Sequence, residues 1–233
     1  MKILATSDTH GNLDKLNFDG IDVVCFAGDI APLKGHSKWD VYEQKKWMQK
    51  KFCAMAAMHP DKQFVFVPGN HDFFPIAADR FGRDINWKIE WPENVHMLID
   101  SEIEISGIKF YGSPWVPIIN YCWAFEADND ILKQRFARIP DRVDVLLTHS
   151  PPHLESDYID RSLQFGISDP FGSYALTEAI FDKQPKLAFC GHIHTGLHTP
   201  IQVGSTTCVN VSRVDENYEI AYEPYVCEVF PQA

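Results

Sequence analysis

Histidine, aspartate and asparagine residues gather in five short segments of the chain. In order, these segments are Asp8-Thr9-His10, Gly28-Asp29, Gly69-Asn70-His71-Asp72, Thr148-His149 and Gly191-His192-Ile193-His194. Imidazole nitrogens combined with carboxylate oxygens suit Mn, Fe or Zn better than Ca²⁺, which prefers a shell of oxygen ligands. A neutral amide such as Asn70 can also bind a metal through its oxygen without adding charge. These residue types therefore indicate a transition-metal centre.

Each segment also has a structural interpretation when it is taken alone. Asp-x-His and Gly-Asp sequences commonly form turns or helix caps, and the segment that begins at Gly69 could form an Asx-turn. A single histidine such as His149 at the end of a strand is more often a structural residue with its hydrogen bonds made than a metal ligand. The paired His192 and His194 are stronger evidence, because two imidazoles directly after a glycine have few structural uses. The order of all five segments favours one common site.

Apolar runs in the sequence predict the strands that would position these segments. Strand-like runs lie at Ile3–Thr6, Val23–Phe26, Phe64–Val67, Lys109–Tyr111, Val143–Thr148, Leu187–Cys190 and Thr207–Val211. Several of them are continuously apolar, as expected for strands covered on both faces. Every polar segment except the one at Gly69 directly follows such a run. Because open α/β sheets bind ligands beyond the carboxyl ends of their strands, this placement predicts a ligand site.

Helical patterns and a hairpin complete the predicted fold. Helices are predicted over about Lys38–Met58, Asp130–Arg138 and Ser173–Asp182. A proline soon after each of them is typical of a helix end. The alternating run Glu102–Ile105, followed by Gly107 and then Lys109–Tyr111, predicts a β-hairpin. We therefore expect an α/β fold, a four-layer α/β/β/α sandwich of two packed mixed β-sheets flanked by helices.

Composition and charge limit the domain number and the partners. With 233 residues, of which 45% are hydrophobic, the chain can bury one sizeable core, so we expect residues 1–233 to form a single domain. The formal net charge of −11 argues against extended nucleic acid, which requires clustered Lys and Arg. The same charge disfavours an anionic membrane surface. A small anionic substrate is still compatible, since bound cations reverse the local field.

The sequence shows no pattern for secretion or membrane insertion. Residues Met1–Ala5 lead directly into the first polar segment, without the charged and apolar regions of a secretory signal. No apolar run approaches the ~18–20 residues that span a bilayer. The six cysteines show no C-x-x-C pairing, and Cys25 and Cys190 lie within strand-like runs. We expect a reduced, cytoplasmic protein.

A long loop rich in Pro, Ser, Asp and Gly is predicted over Pro151–Gly172. Loops longer than about 12–15 residues are often functional. Because this one begins directly after His149, the favoured interpretation is a substrate-facing loop, with a solvated surface excursion as the alternative. The histidines outside the five segments are interpreted as structural; they are His36, His59, His96, His153 and His198.

The five segments resemble the ordered motifs of the calcineurin-like metallophosphoesterase superfamily, which are D-x-H, G-D, G-N-H-[DE], H and G-H-x-H. The resemblance covers nearly the whole chain. Tyr111–Pro117 and Leu147–Pro152 look like the metallophosphoesterase-domain-containing branch, which is related to class III cyclic-nucleotide phosphodiesterases. Some members of that branch have Glu where this chain has Asp72, and some lack one of the closing histidines. This chain keeps both His192 and His194.

The resemblance implies a centre of two metal ions, divalent or trivalent, with Mn, Fe and Zn as candidates. One ion would be bound by Asp8, His10, Asp29 and His194. The other would be bound by Asp29, Asn70, His149 and His192, so that Asp29 bridges the two ions. Two cations about 3.5–4 Å apart can clamp the attacking and leaving oxygens, and a hydroxide is available because metal binding lowers the pKa of water to about 7.

The same resemblance gives catalytic roles to His71 and Asp72. His71 would stabilise the phosphoryl group or protonate the leaving alkoxide, and Asp72 would orient His71. The implied reaction is phosphoester hydrolysis by a hydroxide that bridges the metals, without a covalent enzyme intermediate.

The residues leave the class of ester open. The resemblance to phosphodiesterases favours small diesters, including cyclic nucleotides, and Trp115, Tyr121, Trp123 and Phe125 could stack on a base. Packing of these aromatic rings in the core and rim is the alternative. A phosphomonoester phosphatase is the second candidate function, because the same metal cage serves both reactions. A non-catalytic metal-binding scaffold is the third, and a homodimer is compatible with all of them.

Overall fold

The computed structural model describes residues 1–153 and 172–231. In these stretches the strands are β1 (Lys2–Thr6), β2 (Val23–Ala27), β3 (Gln63–Val67), β4 (Val95–Met97), β5 (Ser101–Ile105), β6 (Ile108–Ser113), β7 (Val116–Pro117), β8 (Glu126–Ala127), β9 (Val145–Thr148), β10 (Leu187–Cys190), β11 (Ile201–Val203), β12 (Thr206–Asn210) and β13 (Tyr225–Glu228). The α-helices are α1 (Lys38–Trp47), α2 (Cys53–Ala57), α3 (Ala77–Phe81), α4 (Asn129–Phe136) and α5 (Tyr174–Lys183). Every strand predicted from an apolar run is present, with its bounds shifted by at most two residues.

The strands form two large mixed sheets. The first has the order β13-β1-β2-β3-β4, and the second has the order β11-β12-β10-β9-β6-β5. Strands β1 to β4 are parallel to one another, and the antiparallel strand β13 pairs with β1 at the edge of the first sheet. In the second sheet β5 and β6 form the predicted hairpin, with Ile103 opposite Phe110. A separate two-stranded sheet joins β7 and β8.

Three apolar clusters show that the sheets and helices form four layers. Side chains from both sheets, including Val65 and Val145, pack against each other between the sheets. On the outer face of the first sheet, Phe66 lies in a cluster with Phe52 of the α1–α2 helical segment. On the outer face of the second sheet, Leu146 lies in a cluster with residues of α4 and α5. The predicted α/β/β/α sandwich is confirmed.

The helix predicted over Lys38–Met58 is present but interrupted. It begins with a capping box, in which Ser37 accepts from the backbone N–H of Asp40 while the Asp40 carboxylate accepts from Ser37. A π-helical segment, Met48–Phe52, separates α1 from α2. The hydrophobic pattern did not predict this widening, because Met48 and Phe52 are apolar residues that an α-helix would also bury. Helix α1 also carries the buried Gln44, which later contacts the candidate site.

The polar segments meet at the carboxyl ends of neighbouring strands. Because β1, β2 and β3 are adjacent and parallel, Asp8, Asp29 and Asn70 follow them at one edge of the first sheet. Parallel strands β9 and β10 place His149 and His192 at the matching edge of the second sheet. The backbone N–H of Asp8 donates to Gly28 at 2.9 Å, so the first two segments are joined directly.

The predicted loop over Pro151–Gly172 is described only at its ends, since residues 154–171 lie outside the described residues. The two ends are neighbours, because the backbone N–H of Ser173 donates to Pro151 at 2.9 Å. A role of this loop toward substrate stays a prediction, as does the single domain over residues 1–233. In the described stretches, none of the helices has the length and apolar character to cross a bilayer.

Candidate metal centre

Left-handed backbone conformations direct several predicted ligands toward one point. Asp8, His10, Asp29 and His192 have φ angles of 52°, 44°, 51° and 71°. This conformation costs a residue other than glycine roughly 1–2 kcal/mol. Such strain persists where surrounding contacts hold it, and it concentrates at functional sites. The chain thus keeps four unfavourable conformations at positions that the sequence predicted as ligands.

The first group of ligand atoms consists of Asp8, His10 and His194. One ligand atom from each residue lies within 4.8 Å of the other two. His194 Nε2 is 3.3 Å from Asp8 Oδ1 and 3.4 Å from His10 Nε2. The Nδ1 atom of His194 lies 3.0 Å from the carbonyl of Asp215, which can only accept. Nδ1 therefore carries a proton, and the Nε2 atom that faces the group is the one available to a metal.

The second group of predicted ligands consists of His149, Asn70 and His192, and the His149 ring is oriented in the same way as that of His194. Its Nδ1 atom lies 2.8 Å from the carbonyl of Ala27, so Nδ1 must donate and Nε2 points into the site. That Nε2 atom is 2.9 Å from Asn70 Oδ1. The His192 ring lies beside the His149 ring, with centroids 5.1 Å apart, and the His192 backbone N–H donates to Asp8. The structure thus brings His149, Asn70 and His192 together beside Asp8.

Asp29 lies between the two groups and contacts both. Its Oδ2 atom is 3.3 Å from His149 Nε2 and 3.9 Å from His10 Nε2. Its Oδ1 atom accepts from the backbone N–H of His71 at 2.8 Å. Asp29 also shares one ligand group with Asp8 and His149 and another with His10 and His71. The bridging role that the resemblance implies for Asp29 stays a prediction, and this central position is the one that such a role requires.

Neighbouring histidines lower the pKa of both buried carboxylates, Asp8 and Asp29, and so favour their ionised forms. Burial alone would raise the pKa of Asp8, but the hydrogen bond and charge of His194 hold that pKa well below its usual range. In Asp29 burial is opposed mainly by the charge of His149, and this pKa is also held well below its usual range. Two ionised carboxylates with almost no solvent contact require positive charge nearby.

The histidines divide into those that can supply this charge as a proton and those that remain neutral. Burial would lower the pKa of His149, but the Asp29 carboxylate raises it to about 9. Burial lowers the pKa of His10 to about 4 and, together with the charge of His149, lowers the pKa of His192 to about 3. Neutral imidazoles are the form that binds metals, and a cation at His149 Nε2 would replace its second proton.

Three glycines leave the room that these ligand groups need. A Cβ atom at Gly28 would overlap His149 Nδ1, and one at Gly69 would overlap Asp29 Oδ1. A Cβ atom at Gly191 would overlap Asp8 Oδ2. The glycines, the imidazole and carboxylate donors and the buried negative charge together fit metal cations bound at the carboxyl ends of the strands.

His71 extends into the space between the ligand groups. A ring nitrogen of His71 lies within 4.8 Å of ligand atoms of His10 and Asp29. The His71 ring stacks on Trp123, with centroids 4.3 Å apart and an interplanar angle of 29°. Its backbone carbonyl accepts from Gln44 Nε2 at 2.8 Å. His71 is therefore close enough to the site to contact a bound phosphoryl group.

Asp72 occupies a different place from the one expected. The prediction made it the group that orients His71, but its carboxylate accepts from backbone N–H groups instead. Asp72 Oδ2 accepts from Ile30 at 3.1 Å and Gly69 at 2.9 Å, and Oδ1 accepts from Ala31 at 3.0 Å. Burial and the charge of Asp29 raise its pKa to about 7. We therefore reassign Asp72 as a residue that fastens the Gly69–Asp72 turn to the segment after Asp29.

The structure adds site residues that the sequence analysis missed. Ser212 Oγ donates to Asp8 Oδ2 at 2.8 Å, and the Tyr218 ring lies 4.7 Å from the His10 ring and 5.3 Å from the His194 ring. Ser212 directly follows the last predicted strand, Thr207–Val211, so the expectation that ligands lie beyond the carboxyl ends of strands could have identified it. Tyr218 has no such signal. It lies in an irregular stretch, and only the fold brings it to the site.

Comparison with known proteins identifies the family. The family model for calcineurin-like phosphoesterase matches residues 1–196. Human metallophosphoesterase domain-containing protein 1 is 30% identical to this chain, and the alignment covers 98% of this chain and 71% of the human protein. A Caenorhabditis elegans protein of the UPF0046 group is 28% identical, with 98% and 81% covered. The solved structure of TT1561 from Thermus thermophilus has the same fold at 17% identity, with a TM-score of 0.59 and 90% and 88% of the chains covered. The predicted resemblance is confirmed, and the chain belongs to the calcineurin-like phosphoesterase family.

Proposed function

We propose that this chain is a metal-dependent phosphoesterase that hydrolyses small phosphodiesters by direct attack of water on phosphorus. The observation that carries this proposal is the position of Asp29, whose carboxylate lies between two groups of ligand atoms. A pair of bound cations, with Mn²⁺ as the first candidate, would polarise phosphoryl oxygens and lower the pKa of water. Family membership supports this class of reaction.

The residues of the chain have separate tasks in this proposal. One ion would be held by Asp8, His10, Asp29 and His194, and the other by Asp29, Asn70, His149 and His192. The carbonyls of Asp215 and Ala27 fix the orientation of His194 and His149. His71 gives a proton to the departing ester oxygen, because its ring lies beside the ligand atoms of His10 and Asp29 and can reach a phosphoryl group bound there.

An aromatic side chain beside the ligand groups supports a diester substrate over a monoester. Tyr218 lies against His10 with 51% of its surface exposed. This ring offers apolar surface to an organic substituent on phosphorus, such as the second ester group of a diester or a nucleoside base. A monoester phosphatase is the second candidate, since the ligand groups suit both reactions.

A side-by-side substrate screen tests the proposal. Metal-free protein would be loaded with Mn²⁺, Zn²⁺ or Fe²⁺ and offered an aryl phosphodiester, the matching aryl monoester and cyclic nucleotides. We expect metal-dependent turnover with at least one diester and slower turnover of the monoester. Faster monoester hydrolysis would refute the diester preference. No turnover of any ester above the metal-only background would favour the non-catalytic scaffold.

A further inference from the structure

We infer that Trp123 is a positioning residue, whose indole holds the His71 imidazole in the orientation required for proton transfer to the leaving group. The inference rests on the proposed function. It begins from the stack between the two rings, with centroids 4.3 Å apart and planes inclined by 29°. Offset stacking of this kind is favourable and restricts rotation of the smaller ring.

The rest of His71 is already fixed, which leaves its ring as the part to be positioned. Its backbone N–H donates to Asp29 Oδ1 at 2.8 Å, and its backbone carbonyl accepts from Gln44 Nε2 at 2.8 Å. The His71 ring also meets the His10 ring edge-on, with centroids 4.9 Å apart. The His71 imidazole is therefore held between two rings: it stacks on the face of the Trp123 indole and meets the His10 ring edge-on.

Trp123 is itself held by a segment whose backbone converges on one carboxylate, Glu126. The Oε2 atom of Glu126 accepts from the backbone N–H of Trp123 at 2.9 Å. Its Oε1 atom accepts from the backbone N–H groups of Ile119 at 2.6 Å and Asn120 at 2.8 Å. Several hydrogen bonds that share one carboxylate fix a loop more firmly than a single hydrogen bond does. The indole therefore has a rigid support although it lies in a loop.

The same segment is joined to the predicted metal ligands. The backbone N–H of Ala124 donates to the carbonyl of Asn70 at 3.0 Å, directly beside His71. The Trp123 ring also meets the His36 ring edge-on, with centroids 4.6 Å apart. Trp123 is thus placed relative to the Gly69–Asp72 turn itself. We expect this arrangement of a side chain that fixes the orientation of the His71 ring in that turn.

The proton that His71 gives is required most when the leaving group is poor. Water attacks phosphorus as the ester P–O bond breaks, and the electron pair of that bond stays on the ester oxygen. The oxygen takes a proton from His71 and leaves as an alcohol or phenol. One hydrogen of the water stays on the product phosphate, and the other restores the proton of His71. A misplaced imidazole therefore slows the hydrolysis of esters with poor leaving groups more than that of esters with good leaving groups.

Two diesters that differ in their leaving group provide the kinetic test. Methyl p-nitrophenyl phosphate has a good leaving group and methyl phenyl phosphate a poor one, and both contain an aromatic ring. We expect Trp123→Leu to lower kcat for the phenyl ester by about threefold to tenfold, with a smaller loss for the p-nitrophenyl ester and little change in KM. Trp123→Phe, which keeps an aromatic face, should restore most of the loss.

Trp39→Leu, the same substitution at an exposed tryptophan outside the site, is the matched control. Trp39 lies in α1, is 68% exposed and contacts only the Tyr42 ring among the described aromatic rings. Its kcat ratio for the two esters should equal that of the wild type. An equal loss of kcat for both esters in Trp123→Leu would overturn the positioning role. A loss confined to KM would instead assign Trp123 to substrate binding.

Nuclear magnetic resonance of labelled histidines tests the geometry without any turnover. In zinc-loaded protein the indole face should shift the ring protons of His71 upfield, and Trp123→Leu should remove that shift, with His71→Asn identifying the signal. An unshifted His71 signal in an active wild-type protein would overturn this inference alone. A shifted signal in a protein that hydrolyses no ester would overturn the proposed function, and with it the role in proton transfer.

Discussion

Asp29 Oδ1 accepts a hydrogen bond from the backbone N–H of His71 at 2.8 Å, so the central carboxylate and the proposed proton donor share one contact. The other oxygen of Asp29 faces His149 and His10. One side chain therefore connects the ligand groups to the turn that carries His71. Its loss should disturb metal binding first and the position of His71 second.

We expect Asp29→Ala to lose metal at both sites, because a single carboxylate contacts both groups of ligand atoms. The measurement is metal content per chain after dialysis, with the exposed Asp19→Ala as a control that keeps its metal. Asp29→Asn retains an oxygen that can accept from His71 but lacks the charge, so it should keep the fold while its metal affinity falls. Full occupancy of two sites in Asp29→Ala would refute the bridging role.

We expect His71→Ala to keep its metals and lose turnover. The ring of His71 lies beside the ligand groups, while Asp8, His10, Asp29 and His194 remain to bind metal. Removal of a general acid typically lowers the rate by about 10²–10⁴-fold. Metal content and kcat measured on the same sample check both halves of this prediction. Unchanged kcat would remove His71 from the mechanism.

Asp72→Ala should lower stability through the backbone rather than through His71. The Asp72 carboxylate accepts from the backbone N–H groups of Ile30, Ala31 and Gly69, and alanine would leave these buried donors without this acceptor. A buried donor left without its acceptor costs about 1–3 kcal/mol. Denaturant unfolding of the metal-free protein measures the change, with the exposed Asp79→Ala as the control. A free energy of unfolding equal to that of the wild type would contradict this role.

Gly191→Ala should weaken metal binding although glycine supplies no ligand. A Cβ atom at this position would overlap Ser7 Oγ and Asp8 Oδ2, so the Asp8 carboxylate would have to move. Gly20→Asn is the control, because Gly20 faces open space and its φ angle of 68° suits asparagine. Calorimetric titration with Mn²⁺ should show weaker binding in the first variant and wild-type binding in the second. Equal affinities in both would show that the close approach is unimportant.

The fold and the five polar segments were predictable because they depend on local patterns. Continuously apolar runs predicted β2 and β10, and parallel neighbours necessarily present the residues after them at one edge. The π-helical segment Met48–Phe52 was not predictable, because the same apolar residues suit an α-helix. The antiparallel edge strand Tyr225–Glu228 was not among the predicted strand-like runs, and its pairing with β1 joins opposite ends of the chain.

The surroundings of the ligands could not be derived from sequence neighbours. The pair His71-Asp72 resembles a histidine with its orienting carboxylate, but adjacent side chains in a turn diverge, and Asp72 turns to backbone donors. The contacts that hold the His71 ring come from Trp123 and His10, which lie far away in the sequence. Such contacts depend on tertiary packing, which no spacing rule encodes.

Metal bound around Asp29 is expected to make this chain a phosphoesterase. The most direct test adds Mn²⁺ stepwise to metal-free protein and follows, on the same sample, the ions bound per chain and the hydrolysis of bis(p-nitrophenyl) phosphate. We predict two bound ions per chain and turnover that reaches its maximum when the second ion binds. Two bound ions without hydrolysis above that of free Mn²⁺ would contradict the claim.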